Sequence, residues 1–155
     1  MVYSPTRRKI LQLGGAALGV GLAGCSSPQE ESITESRLVE LSVSNHTESQ
    51  HTVHAVLQDG DEVVYWSSIQ VTSGDREKND AGGGEFSSYP TEAGLYTLYA
   101  KGDNQPDDAW TQAKIYEWGY PCWSLNIKLG LPFSDSPEKI SIWRHNKCNA
   151  ETTDT

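Results

Sequence analysis

The sequence predicts an all-β fold, an antiparallel β-sandwich of seven to eight short strands. Two observations carry this. Beyond residue 37 apolar side chains recur with a period of two, not 3.6. Turn signals rich in Gly, Asp and Pro separate the runs, and no long amphipathic helix pattern interrupts them.

Each element has its own signal. Val39, Leu41 and Val43 alternate with Glu40, Ser42 and Ser44, as in a half-buried strand. Val53, Ala55 and Leu57 alternate with Thr52, His54 and Gln58, although Val56 puts an apolar group on the second face. Asp59-Gly60 then marks a hairpin turn, because glycine tolerates positive φ. Residues 62–71 are rich in β-branched and aromatic side chains (Val63, Val64, Tyr65, Trp66, Ile69, Val71) and predict a third strand. Residues 72–85, charged and containing Gly82-Gly83-Gly84, predict a mobile loop. Residues 86–89 predict a short strand stopped by Pro90. Residues 95–101 and 113–118 predict two more. Residues 122–129 and 139–145 predict a closing pair across a loop holding Pro132 and Pro137.

Within this pattern Glu92-Ala93-Gly94-Leu95-Tyr96-Thr97-Leu98 resembles the immunoglobulin-type segment Asp-x-Gly-x-Tyr-x-Cys. The resemblance implies an immunoglobulin-like sandwich in which Tyr96 makes a corner hydrogen bond to backbone and Trp66 is the core tryptophan facing it. Leu98 stands in the cysteine position, so the inter-sheet disulfide of antibodies is absent. Such a segment speaks for a fold and not for an activity.

The N-terminal region reads as an address. Arg7, Arg8 and Lys9 precede an uncharged, glycine-containing run that ends in Leu22-Ala23-Gly24-Cys25. A positive start, a short apolar stretch and small residues make a secretory signal. The stretch is about 15 residues, short of the roughly 20 needed to span a bilayer as a permanent helix. Thr6-Arg7-Arg8-Lys9-Ile10-Leu11 resembles the twin-arginine export motif, with Ile10 where phenylalanine is more usual, and Leu22-Ala23-Gly24-Cys25 resembles the lipobox of bacterial and archaeal lipoproteins. The resemblance implies removal of residues 1–24, lipid on Cys25, and a location on the outer face of the cell membrane. Two acyl chains hold a protein there stably. Residues 25–37 are polar and predict a flexible tether. The sandwich domain is expected over 38–148, with a disordered tail at 149–155.

Charge excludes some partners. The chain has a net charge of −9. Without residues 1–24 it keeps 9 Lys+Arg against 21 Asp+Glu, a net of −12. Nucleic acid and anionic headgroups require positive patches, so neither is expected. An acidic surface, a twin-arginine signal and a lipobox together resemble secreted lipoproteins of halophilic archaea, in which high salt screens self-repulsion.

Three cysteines are odd for an exported protein. With Cys25 assigned to lipid, Cys122 and Cys148 remain, and an oxidising exterior favours a disulfide between them. Two buried thiols or a metal pair are the alternatives. No CxxC spacing is present, and two sulfurs alone make a poor zinc site.

Signals for chemistry are weak. His46, His51 and His54 invite a metal reading, but residues 51 and 54 point to opposite faces of a strand. Asp59, Asp61, Asp103, Asp107 and Asp108 lie in expected loops without an EF-hand pattern. No Gly-x-Ser-x-Gly elbow and no phosphate-binding glycine loop with lysine occurs. No metal, no cofactor and no catalytic residue is therefore assigned. Trp110, Tyr116, Trp118, Tyr120 and Trp123 crowd residues 110–123. Core packing explains most of them. Trp118 and Tyr120, in a turn-like segment, are the expected exposed pair for a surface protein or glycan. Asn45-His46-Thr47 is a glycosylation sequon in an expected exposed turn. The expectation is a non-enzymatic, membrane-anchored binding or accessory module. A metal- or solute-binding lipoprotein is the alternative, and a small hydrolase the weaker one.

Overall fold

The computed structural model describes residues 35–75, 77–131 and 139–146. The signal segment, Cys25, most of the tether, Cys148 and the 149–155 tail lie outside the described residues. The strands are β1 (Ser36–Asn45), β2 (His51–Asp59), β3 (Glu62–Val71), β4 (Gly82–Glu85), β5 (Ala93–Gly94), β6 (Tyr96–Gly102), β7 (Thr111–Lys114), β8 (Cys122–Leu129) and β9 (Ile140–His145). A 3₁₀ turn covers Ile115–Trp118.

The strands form two sheets. One has the order β4-β1-β8-β9, with β5 also paired to β1; the other has the order β3-β2-β6-β7. The predicted all-β sandwich is the observed architecture. One pairing departs from the antiparallel expectation: β1 and β8 run parallel. Parallel neighbours need a long crossover, and here the whole second sheet lies between them in sequence.

Both sheets send alternate side chains into one core. Leu41, Leu125 and Ile127 from the first sheet meet Val53, Leu57 and Leu98 from the second, all fully or almost fully buried. Each such aliphatic side chain contributes about 1.5–3 kcal/mol relative to exposure. Ala55 and Ala100 sit opposite each other at the centre of the second sheet, where small side chains face the opposing layer.

Four sequence expectations are corrected. The strand read from Val39 begins at Ser36, whose hydroxyl donates to the Tyr120 carbonyl at 2.7 Å. Within β1 the pairing with β8 shifts between Leu38 and Glu40. This bulge turns Val39 outward and puts Leu38 in the core, because one extra residue reverses the alternation. The glycine run predicted as a loop is strand β4, and the strand predicted at 86–89 is absent, although Phe86 is buried. Glycine is required in β4 by close approach: a Cβ on Gly83 would stand 2.8 Å from the Val43 carbonyl oxygen, and one on Gly82 would be closer still to that of Thr72. The strand predicted at 113–118 is β7 only to Lys114, after which the chain tightens into the 3₁₀ turn.

The fourth correction concerns tryptophan. Trp66 is not in the core; it is 72% exposed. In β3 the half-buried and buried positions are Tyr65, Ser67, Ile69 and Val71, so Trp66 has the opposite parity. The buried indole is Trp123 on β8. The corner bond of Tyr96 is present: its hydroxyl donates to the Glu92 carbonyl at 3.0 Å. Cys122 is disulfide-bonded. Cys148, its predicted partner, lies outside the described residues.

Candidate functional site

The residues singled out in the sequence do not gather into one site. His51 Nδ1 lies 2.9 Å from Asp103 Oδ1, and the main-chain N–H of Thr52 donates to Asp103 Oδ2 at 2.9 Å. Burial is the largest influence on Asp103 and works against ionisation. The Thr52 N–H and His51 together outweigh it and hold the carboxyl below the ordinary carboxylate range. This bond set ties the loop after β6 to the start of β2. His54 Nδ1 lies 2.6 Å from Ser68 Oγ on the outer face of the second sheet. No carboxylate among the described residues orients His54 in turn, as an activated serine would need. Among the described residues no three His, Cys, Asp or Glu side chains are placed to share a metal ion.

The predicted acidic loops are also occupied by structural bonds. Asp59 Oδ1 accepts from the Leu95 N–H at 2.8 Å, and Asp107 pairs with Lys101 at 3.0 Å.

Asn45 is not an exposed acceptor; it is 0% exposed. Its amide donates to the carbonyls of Ser49 (2.7 Å) and Thr72 (2.9 Å), and its oxygen accepts from the Thr47 N–H (3.0 Å) and hydroxyl (2.8 Å). All four hydrogen-bonding positions of the side chain are filled. The expected exposed turn is therefore corrected: in the folded domain the Asn45 amide is buried and fully bonded.

Trp118 and Tyr120 are not an exposed pair either. Trp118 is half-buried and meets the Trp123 ring edge-on at 5.1 Å, and Tyr120 meets Trp123 at 5.5 Å. The Arg144 guanidinium lies 4.6 Å from the Trp118 ring and 5.3 Å from that of Trp123. Of the three rings in this cluster only Tyr120, at 51%, is exposed; Trp118 is half-buried and Trp123 buried.

Among the described residues the most exposed large apolar side chain, Trp66, is elsewhere. The outer face of β3-β2-β6-β7 carries a row of paired residues, Trp66–Val56–Tyr99–Gln112, one from each strand. Strand spacing puts Trp66 and Tyr99 two strands apart, roughly 10 Å. A flanking row is Ser68–His54–Lys101, and on the other side Gln58, Thr97 and Lys114 continue the face. None of these positions is a carboxylate, although the chain has 21 Asp+Glu. Lys101 and Lys114 are each ion-paired, to Asp107 and to Glu117 at 3.2 Å. Glu117, through its hydrogen bond, holds the Lys114 ammonium above its ordinary range. The face is thus aromatic, polar and close to neutral.

A shallow depression of about 190 Å³ lies on this face, lined by Val56, Gln58, Tyr99 and Trp110. Gln112 Nε2 donates to the Tyr99 hydroxyl at 3.2 Å, so the Tyr99 O–H can donate outward and the Gln112 oxygen can accept. The Lys101 ammonium lies 5.8 Å from the Trp110 ring and holds that indole at the rim. Parity could have revealed part of this: Trp66 shares its strand face with Ser68 and Gln70, and Tyr99 shares one with Thr97 and Lys101. Trp110 precedes β7, where no period marks its direction.

No protein-family model, curated protein or solved structure matches the chain.

Proposed function

We propose that the chain is an extracytoplasmic lipoprotein, held on the outer face of the cell membrane through lipid on Cys25. Its immunoglobulin-like sandwich then acts as a non-catalytic binding module. The address rests on Arg7, Arg8 and Leu22-Ala23-Gly24-Cys25. The single observation that favours binding is the aromatic face around Trp66, Val56, Tyr99 and Trp110, on which, among the described residues, the paired strand positions carry no carboxylate and the two lysines are neutralised by Asp107 and Glu117. Binding patches are enriched in Trp and Tyr and depleted in Asp and Glu at their centres. The metal-binding alternative is less well supported, because His51 and His54 face separate partners, Asp103 and Ser68.

The address is tested by metabolic labelling with a lipid precursor in a host that processes lipoproteins. Wild-type protein is expected in the membrane fraction, labelled and lacking residues 1–24. Cys25→Ser is expected unlabelled. Equal labelling of both, or retention of residues 1–24 in the labelled protein, would overturn the assignment.

A further inference from the structure

We propose that the depression on the β3-β2-β6-β7 face is a subsite for one ring of a neutral oligosaccharide, whose neighbouring ring lies over Trp66. The inference deepens the binding-module reading and rests on it. Four observations select this ligand class.

The first is ring geometry. Pyranose rings present C–H groups of slight positive character, which suit the negative faces of aromatic rings. Tyr99 and Trp110 flank the depression, and Trp66 stands farther along the same row.

Hydrogen bonding is the second. Around the aromatic rings lie both donors and acceptors: the Gln58 amide, which does both, the Gln112 oxygen, which accepts, and the Tyr99 O–H, which donates. Sugar hydroxyls are also both donors and acceptors, so this set pairs with them without a net charge on either side. A purely apolar partner would leave these groups unsatisfied on docking, which costs about 1–3 kcal/mol for each buried one.

Charge is the third. The two lysines in the flanking rows of the face already hold Asp107 and Glu117. An acidic glycan would meet a mature chain of net charge −12, and among the described residues the two lysines of this face are already ion-paired. A second copy of the chain would carry the same like charge.

Size is the fourth. At about 190 Å³ the depression is smaller than the roughly 300–1,000 Å³ cavities that enclose drug-sized ligands. It fits a single ring of a chain that otherwise lies open across the sheet.

The test is calorimetric titration of full-length protein in detergent with cellohexaose, mannohexaose and xylohexaose, and with hexagalacturonate as the anionic comparison. At least one neutral hexasaccharide is expected to bind. Trp66→Ala and Trp110→Ala should each weaken it about tenfold or more, while Tyr120→Ala, at the far aromatic cluster, should not. Melting temperatures check that the variants fold, and Trp66, which is largely exposed, tolerates removal best. The assignment is overturned if no neutral probe binds, if the anionic probe binds more tightly, or if the Trp66 and Trp110 variants bind like wild type. Oxidative footprinting of Trp66 at the native cell surface separates the two levels. Protection of Trp66 without glycan binding ends the glycan assignment and leaves a binding module. Absence of both ends both.

Discussion

Tyr96 and Gly94 are matched by contact: a Cβ on Gly94 would lie 2.8 Å from Cζ of the Tyr96 ring. The bare glycine lets the ring fold back so that its hydroxyl reaches the Glu92 carbonyl at 3.0 Å. Burial, first among its influences, pushes the Tyr96 hydroxyl above the ordinary phenol range, so it remains a donor at all ordinary pH. Tyr96→Phe is expected to cost about 1 kcal/mol by urea unfolding, the net value of one neutral hydrogen bond. Gly94→Ala should cost more, about 1–3 kcal/mol, through overpacking. Equal, negligible effects would argue against the corner as a structural tie.

Asn45→Ala should be among the most damaging polar substitutions. It removes two donors and two acceptor contacts at a fully buried position and takes a partner from the Thr72 carbonyl and the Thr47 N–H, while the Ser49 carbonyl keeps the Thr47 hydroxyl within 3.1 Å. A loss of about 2–3 kcal/mol is expected in chemical denaturation. Intact-mass analysis of protein from a glycosylating host should show Asn45 unmodified.

Asp103 gives the domain an acid-sensitive tie. Its carboxyl is held below the ordinary value by the Thr52 N–H and His51 against the opposing effect of burial. Because the folded value is depressed, its stabilisation is fully present above the unfolded value of about 3.9 and is lost as pH falls through the folded value. The side chain is substantially exposed, so screening keeps the contribution under about 1 kcal/mol. Asp103→Asn should therefore lower the melting temperature slightly at pH 7, and the difference from wild type should shrink toward pH 2. A difference that grows on acidification would contradict the assignment.

Salt should stabilise the domain. With 21 Asp+Glu against 9 Lys+Arg once residues 1–24 are removed, self-repulsion is the dominant long-range term. The screening length falls from about 10 Å at 0.1 M salt to about 3 Å at 1 M. Thermal unfolding in KCl should shift upward between about 0.1 M and 3 M. An unchanged midpoint would remove the support for a high-salt setting.

The legibility of the chain followed its side-chain alternation. β2, β6, β8 and β9 keep one apolar face with a period of two, despite Val56, Tyr99 and Trp143 on the other, and each lies within a residue or two of where the sequence places it. At Val39 the bulge breaks that period, and bulges carry no local signature there. The Gly82-Gly83-Gly84 run has no side chains to alternate; its strand is set by the closeness of Val43 and Thr72, which only the tertiary fold supplies. Asn45-His46-Thr47 is ambiguous for a chemical reason. The spacing that makes a sequon also lets Thr47 N–H bond to Asn45 Oδ1 in an Asx turn. Among the candidate sites, aromatic crowding drew attention to residues 118 and 120, whereas the broadest exposure belongs to Trp66. Local density marks aromatics; strand parity decides which way they face.

The central claim is that the Trp66 face is used in place. Hydroxyl-radical footprinting of the protein on intact cells, compared with the purified full-length protein, tests it most directly. Lower oxidation of Trp66 and Trp110 on cells, with Tyr120 unchanged, is the predicted result. Equal oxidation of Trp66 and Trp110 in both settings would contradict the account.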